Sequence, residues 1–442
     1  MGNEGKLRTF SSCSVHRPHM WVWFRVAGED LATIRRRHAV SFRVLVDREL
    51  PAVDVLFDAR RLSGVLGGPL RVDHLRHKPG LSVIARTHDQ DARVGWIASY
   101  HPREAVKLEK TVRRAERLGA KLSRVLIDDS TAHELVMGAI ELDRRLYEPL
   151  SVLGYRSDWG GPEPVRVLNY NPLRRVVLAL GEGDERVVCK VGVPSGADAA
   201  LLRRLAADGV PVLEQVSPAG LPDSNMLRYF PWFGAYDLST GRGGGTGQEH
   251  LDVRCGYEAG EALARLHAVH PPATLVARID SVGAIVQGAV QETARRIPAL
   301  ASRLLHRVAG FLGEEPVGRC RCVLLHGDFS ADQVLVDQHE VRLIDFDRCG
   351  LGPAESDLGS FAADELIRGL PGSGSVPVLD LPVTAALLAG YTDGHGSFSE
   401  RRVRDWVALH VLRRLNEPFR ACSPHWREST AERMKLIEQL LV

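Results

Sequence analysis

Asp328, Gln333 and Asp345 put two carboxylates and an amide within one short stretch, Cys322 to Gly350. Apolar runs at Val323 to Leu325, Val334 to Val336 and Val341 to Ile344 alternate there with polar segments. Short apolar runs bounded by turn residues read as buried strands. Asp337 to Glu340 then forms a hairpin turn, and Asp328 and Asp345 stand at neighbouring strand ends. A His-x-Asp, a polar amide soon after it and a later Asp-Phe make the layout of a metal-assisted phosphoryl-transfer site. That chemistry needs an in-line hydroxyl, a divalent cation on phosphate oxygens and positive charge on the phosphates. Asp328 suits the hydroxyl, as base or orienting group, while Gln333 and Asp345 are oxygen ligands suited to Mg²⁺. His326 fits a loop-fixing hydrogen bond better than a titrating role.

The positive charge must come from elsewhere in the chain. Only seven of the 57 cationic side chains are lysines, an arginine excess that a GC-rich genome explains, and Lys190 stands alone between Lys121 and Lys435. It sits in Val187-Val188-Cys189-Lys190-Val191, a central-strand pattern. An ammonium there without an anionic partner or ligand is expensive, so Lys190 is expected to grip nucleotide phosphates. Arg174 and Arg175, in the turn that starts at Tyr170, are further phosphate candidates. Met226 to Leu238 passes from strand to turn. Its backbone from Arg228 to Trp232, with Tyr229, Phe230 and Trp232 alongside, suits the edge of an adenine ring.

The elements that would position these groups include a repeat. Leu75-Arg76-His77-Lys78-Pro79 matches Leu168-Asn169-Tyr170-Asn171-Pro172, and Asp91-Ala92-Arg93-Val94 matches Asp184-Glu185-Arg186-Val187, both at a constant offset of 93. Each copy reads as strand, turn, strand, turn, strand and helix (Arg103 to Leu118; Ala197 to Asp208), then two strands. Those last strands are expected at Leu122 to Ile127 and Leu135 to Ile140, and at Val212 to Val216 and Met226 to Phe230. On this alignment the first copy has Ile97 where the second has Lys190, so the first reads as a structural or substrate-side cap. Ser239 to Gly247 is a flexible linker by composition, and the chain after it reads as helical apart from the opening stretch. The expected division is a tail at 1–28, a cap at 29–140, a β-rich lobe at 141–238, a Gly-rich linker at 239–248 and a helical lobe at 249–442. The fold class is α+β, with a cleft between lobes.

Bulk properties exclude several classes. At 442 residues the chain can hold two or three domains, and its 25% charged and 44% hydrophobic residues are those of an ordinary globular protein. A net charge of +2 argues against nucleic-acid or membrane-surface partners. Seven scattered cysteines give neither a disulfide framework nor a metal spacing, which points to a reduced, cytoplasmic setting. No apolar run approaches the ~20 residues of a membrane span. Met20-Trp21-Val22-Trp23-Phe24 is too short and aromatic for a signal peptide core, and Met20 is a candidate start. Oligomeric state is not written in the sequence.

From about residue 150 onward the chain resembles the aminoglycoside phosphotransferase family, the small-molecule branch of the protein-kinase-like fold that also holds choline kinases. The resemblance rests on His326-Gly327-Asp328-Phe329-Ser330-Ala331-Asp332-Gln333, on Ile344-Asp345-Phe346, on Leu263-Ala264-Arg265-Leu266-His267 and on Asp357-Leu358. It implies a two-lobed kinase-like fold, ATP and Mg²⁺ as cofactors, Asp328 as catalytic base, Gln333 and Asp345 as metal ligands, and Asp357 as structural support. The duplicated amino-terminal unit resembles the cap of bacterial maltokinases and glucosamine kinases, which also use Gln where relatives have Asn, and this favours a sugar over an aminoglycoside acceptor. Three features depart from the pattern. The turn from Tyr170 to Arg175 is not Gly-rich, no glutamate follows Lys190 in the next helix, and Asp347 replaces a small residue. Asp198 is the nearest partner for Lys190, but Ser195-Gly196-Ala197-Asp198 reads more readily as a helix cap. Rival readings are a peptide Ser/Thr kinase and a catalytically idle nucleotide-binding scaffold. A deep acidic pocket beside Asp328 would mark a small-molecule kinase, and an open groove a peptide kinase.

Overall fold

Alternating apolar residues fold the amino-terminal part into sheets, and helical spacing folds the carboxy-terminal part into helices. The computed structural model describes residues 47–127, 133–156, 165–193, 198–234, 236–240, 246–272, 282–308, 322–338, 340–369 and 377–441. The expected tail at 1–28, the helical start Asp30 to Arg37, the strand Val40 to Val46 and the middle of the Gly-rich linker lie outside these residues. All described residues belong to one compact unit.

Two short helices come first, α1 (Ala52–Phe57) and α2 (Ala59–Leu66). One helix from Val53 to Val65 was expected; Asp58 divides it by accepting from the Arg60 and Arg61 N–H groups as an N-cap. The first sheet follows, with β1 (Arg71–Lys78), β2 (Ser82–His88) and β3 (Val94–Tyr100), then α3 (Ala105–Leu118), β4 (Ser123–Leu126) and β5 (Glu134–Ala139). Its order is β1-β2-β3-β5-β4, antiparallel throughout. After α4 (Tyr147–Leu153) the second sheet repeats the plan with β6 (Val165–Asn171), β7 (Arg175–Leu180), β8 (Val187–Gly192), α5 (Ala199–Ala207) and β9 (Leu227–Pro231), in the order β6-β7-β8-β9.

The repeat departs from its expected form in two places. Val212 to Val216 is not a strand; it makes only isolated bridges, Val212 to Leu343 and Val216 to Tyr229, so the second sheet has four strands against five. The pairing register also moves the position that matches Lys190. Ile84 pairs with Ala98, while the matching Val177 pairs with Lys190. The connection in the second copy is therefore one residue shorter, and Ala98, not Ile97, is the counterpart of Lys190. A one-residue slip reverses every side chain between faces, so this decides which face of the first sheet corresponds to the face carrying the lysine.

The rest of the chain builds the helical part. In order it contains β10 (Tyr236–Asp237), α6 (Thr246–Ala268), α7 (Val282–Arg296), α8 (Pro298–Val308), β11 (Val323–Leu325), β12 (Val334–Asp337), β13 (Glu340–Leu343) and β14 (Gly350–Gly352). The helices α9 (Ala354–Arg368), α10 (Pro382–Asp393), α11 (Glu400–Arg413), α12 (Glu417–Arg420) and α13 (Trp426–Leu440) complete it. Helix α6 begins at Thr246, inside the expected linker. The expected hairpin is β12–β13, closed by Asp337 opposite Glu340; β10 adds to it as a third strand, and β11 pairs with β14.

Three apolar cores hold these layers. The largest fills the helical part and includes Leu201, Leu202 and Leu205 of α5. A second joins one face of the first sheet (Ile84, Trp96, Ala98, Val136) to the back of the second (Val176, Leu178, Cys189, Val191, Tyr229). A third joins the other face of the first sheet (Val83, Ala85, Ile97, Leu135) to α1 and to Phe419 and Trp426 of the helical part. The first sheet is thus buried on both faces, and it touches both of the other parts.

Candidate active site

Between the front of the second sheet and the β12–β13 hairpin lies a cavity of about 480 Å³. Its walls are apolar on one side, from Val177, Val188, Phe230, Leu335 and Leu343, and ionic on the other. At the ionic side the Lys190 Nζ lies 2.6 Å from Asp345 Oδ1 and 2.6 Å from Asp347 Oδ2. Arg175 adds contacts of 3.1 Å to Asp345 and 3.0 Å to Asp347, and Arg228 donates to Asp347 Oδ1 at 3.1 Å. Lys190 and Arg228 face each other across β8 and β9, so both extend from the same face of the sheet. Burial alone would raise the Asp345 carboxyl, but the Lys190 ammonium and the Arg175 guanidinium hold it well below the usual carboxylate range. Asp345 itself adopts a left-handed backbone, φ 65°, uncommon for a residue with a side chain.

The loop from His326 to Gln333 is fastened from three sides. The His326 Nε2–H donates to the Ile344 carbonyl at 2.8 Å, tying the Asp328 loop to the residue before Asp345. Asp357, buried at the start of α9, accepts from the His326 N–H at 2.7 Å and the Gly327 N–H at 2.9 Å. Its Oδ2 also accepts from His267 Nε2 at 3.2 Å, and His267 Nδ1 in turn accepts from the Tyr391 hydroxyl at 2.9 Å. Phe329, fully buried beside Phe361, anchors the centre of the loop in the helical core. Gly327 is required by sterics. It has φ 83°, and a Cβ there would run into the Arg348 carbonyl oxygen.

The structure brings together Lys190, Arg175, Gln333, Asp345, Phe230 and Trp232, all on the cavity wall. Two of the expected nucleotide contacts fall elsewhere. Tyr229 points to the back of the sheet, buried in the core with its hydroxyl donating to the Pro222 carbonyl at 2.8 Å. Alternation along β9 sends it opposite to Arg228 and Phe230. Arg174 occupies the turn before β7, is exposed and does not line the cavity. Asp328 also lies outside the cavity wall, half-exposed, with Arg348 Nε 3.6 Å from its Oδ2. The Trp232 N–H is already engaged, donating to the Arg186 carbonyl at 3.2 Å. Asp198 caps α5 by accepting from the Leu201 N–H at 2.8 Å, so the carboxylates that meet Lys190 are Asp345 and Asp347 instead.

The donor set fits a hard divalent cation. The Gln333 Nε2 donates to Asp332 Oδ2 at 2.8 Å, which leaves Oε1 as its acceptor atom, and Asp345 and Asp347 supply carboxylate oxygens on the same wall. Among the described residues no group of three or more His, Cys, Asp and Glu forms a metal cage. This is consistent with Mg²⁺, which takes few protein oxygens and keeps waters and substrate phosphates as further ligands.

A sequence profile of the phosphotransferase enzyme family matches residues 174–406. The chain belongs to this family. It is a phosphotransferase with an alcohol group as acceptor. The match begins in the turn before β7 and leaves out the first sheet. Among solved structures, the phosphotransferase is similar to a choline/ethanolamine kinase family protein from Mesorhizobium loti, with 15% identity, 66% of this chain and 94% of that one covered, and a TM-score of 0.45. It is also similar to an aminoglycoside-3'-phosphotransferase of type VIII (22% identity, 61% and 99% covered, TM-score 0.41). A glucosamine kinase aligns at 16% identity over 85% of this chain and 94% of its own, with a TM-score of 0.43. No curated protein sequence matches the chain. No described helix is long and apolar enough to cross a membrane.

Proposed function

We propose that this phosphotransferase moves the γ-phosphate of ATP to a hydroxyl of a small molecule. The observation that carries the reading is the ionic side of the cavity, where Lys190 and Arg175 meet Asp345 and Asp347 opposite an apolar wall. An apolar slot ending in paired cations and carboxylates suits a base at one end and metal-bound phosphates at the other. Lys190 and Arg175 bind the phosphates, with Arg175 standing in for the backbone of a Gly-rich loop. Phe230 packs on the base, and Trp232 closes that end of the slot. Gln333 and Asp345 hold Mg²⁺, which when bound neutralises charge on the phosphate oxygens. Asp328 orients the acceptor hydroxyl and takes its proton. His326 and Asp357 act through hydrogen bonds, fixing the Asp328 loop against the strand that ends at Asp345.

An ADP-release screen over sugars, amino sugars, aminoglycosides and Ser/Thr peptides, with Asp328→Asn as blank, tests this. The expected result is ADP release with a small-molecule class and none above background for the variant. Equal release by the variant, or turnover of peptides alone, would contradict the reading.

A further inference from the structure

Beside Asp328 the chain assembles guanidinium groups from five separate segments, and the functional reading above assigns none of them. Arg348 follows the Asp345–Asp347 turn, with Nε 3.6 Å from Asp328 Oδ2. Arg174 lies in the turn before β7, Arg145 in the segment before α4, Arg76 on β1 and Arg420 in α12. One buried carboxylate aligns two of these segments. Asp143 accepts from the Arg145 N–H at 2.8 Å, from the Leu173 N–H at 2.7 Å and from the Tyr170 hydroxyl at 2.8 Å. Arg76 Nη1 donates to the Pro172 carbonyl at 3.2 Å, so the first sheet holds the same turn. Glu292 fixes Arg420 at 3.0 and 3.1 Å.

Gathering like charges on rigid supports costs free energy unless an anion offsets it. Burial first, and then the charges of Arg348, Arg420, Arg175 and Arg145, press the Arg174 guanidinium below its ordinary value. Arg76 is lowered in the same way, by burial and then by Arg174, Arg145 and Arg420, with Asp143 opposing. Among the described residues, Arg76, Arg145 and Arg174 have no carboxylate within ion-pair distance. The acidic surroundings that would suit a cationic acceptor are not what stands beside Asp328.

Resting on the phosphotransferase reading, we propose that the acceptor is a hydroxylated small molecule carrying an anionic group, a phosphate or a carboxylate. Arg76, Arg174 and Arg348 bind that group while its hydroxyl is presented to Asp328. Guanidinium forks match both oxyanions in bidentate geometry, which gives such a site its selectivity. It also gives the first sheet a part in substrate choice, since Arg76 belongs to it.

The test compares neutral sugars, amino sugars, sugar phosphates and sugar acids as acceptors in the ADP-release assay, for the full chain and for Arg76→Gln and Arg174→Gln. An anionic member should exceed its neutral parent in kcat/KM by about tenfold or more, and each variant should raise the KM for that acceptor about tenfold with the KM for ATP unchanged. The phosphate and carboxylate arms separate the two anions. A neutral or cationic acceptor that outperforms its anionic counterpart, or variants that change only the KM for ATP, would overturn the proposal while leaving the phosphotransferase reading intact. If ATP with Mg²⁺ binds but no acceptor releases ADP, inorganic phosphate binding to the nucleotide-loaded protein decides. Binding that weakens in both variants supports the site, and binding that is absent or unaffected by them overturns it. Failure to bind ATP with Mg²⁺ at all would instead count against the underlying reading.

Discussion

At matching register positions, Ala98 of the first sheet faces a closed apolar core and Lys190 of the second faces an open cavity. The same holds for their neighbours. Ile84, Trp96 and Val136 are buried where Val177, Val188 and Arg228 line the cavity. In the first sheet, the face that could have lined a cleft is filled by the back of the second sheet, so no space remains for a ligand there. One supersecondary plan therefore serves as a scaffold in one copy and as a binding lobe in the other. What separates them is what packs against the equivalent face. The copies remain coupled, because Arg86 of the first sheet donates to Asn169 Oδ1 at 3.1 Å, and Asn169 is a cavity-wall residue.

The largest effect expected from breaking this contrast is at the loop that only the second sheet faces. Asp328→Asn should lower kcat by about 10²- to 10⁴-fold, the usual contribution of a general base, with ATP affinity little changed. Steady-state ADP release beside equilibrium nucleotide binding measures both. Near wild-type turnover would remove Asp328 from its role.

Next in size is an attempt to make the first sheet resemble the second. Ala98→Lys would bury an ammonium in the core between the sheets without a partner, costing about 3–5 kcal/mol. Thermal unfolding should show a lowered midpoint, and no second nucleotide should bind. A stable variant with new ATP binding would contradict the account of the first sheet.

The ionic side of the cavity gives a pH signature that the first sheet's apolar equivalent lacks. Asp345 has its carboxyl held below its ordinary value, so it contributes stability that is fully present above about pH 4 and is lost as pH falls below that. Asp345→Asn should flatten the acid limb of a stability-against-pH curve. An unchanged acid limb would mean that the Lys190 and Arg175 pairing adds nothing to stability. The smallest effect concerns the helix after β8. Asp198→Ala should cost about 1 kcal/mol through the lost N-cap, with nucleotide affinity unchanged. A large fall in affinity would instead make Asp198 a partner of Lys190.

The catalytic stretch was legible because its signal is local. Strand pattern, hairpin turn and loop residues all lie between Cys322 and Gly350, and β11, β12 and β13 fall within about a residue of their expected bounds. The partner of Lys190 was not legible, since Asp345 and Asp347 reach it from far along the chain and only the closing of the cleft joins them. Strand parity was hidden as well. The run Leu227 to Phe230 does not say which alternate residues face the cavity, and Tyr229 was placed on the wrong side. The constant offset of 93 misled at one point for a related reason. Matched turn residues kept the alignment ungapped, while strand pairing absorbed a one-residue difference. His267 is part of the motif that carries the resemblance, but its link through Asp357 to the catalytic loop needs α6, α9 and α10 packed together.

A calorimetric titration with a non-hydrolysable ATP analogue and Mg²⁺, on the wild-type chain and Lys190→Met side by side, bears most directly on the division between the two sheets. One nucleotide per chain, weakened at least about tenfold in the variant through loss of a charge-assisted contact, is the expected result. Two nucleotides per chain, or equal affinity in the variant, would contradict it.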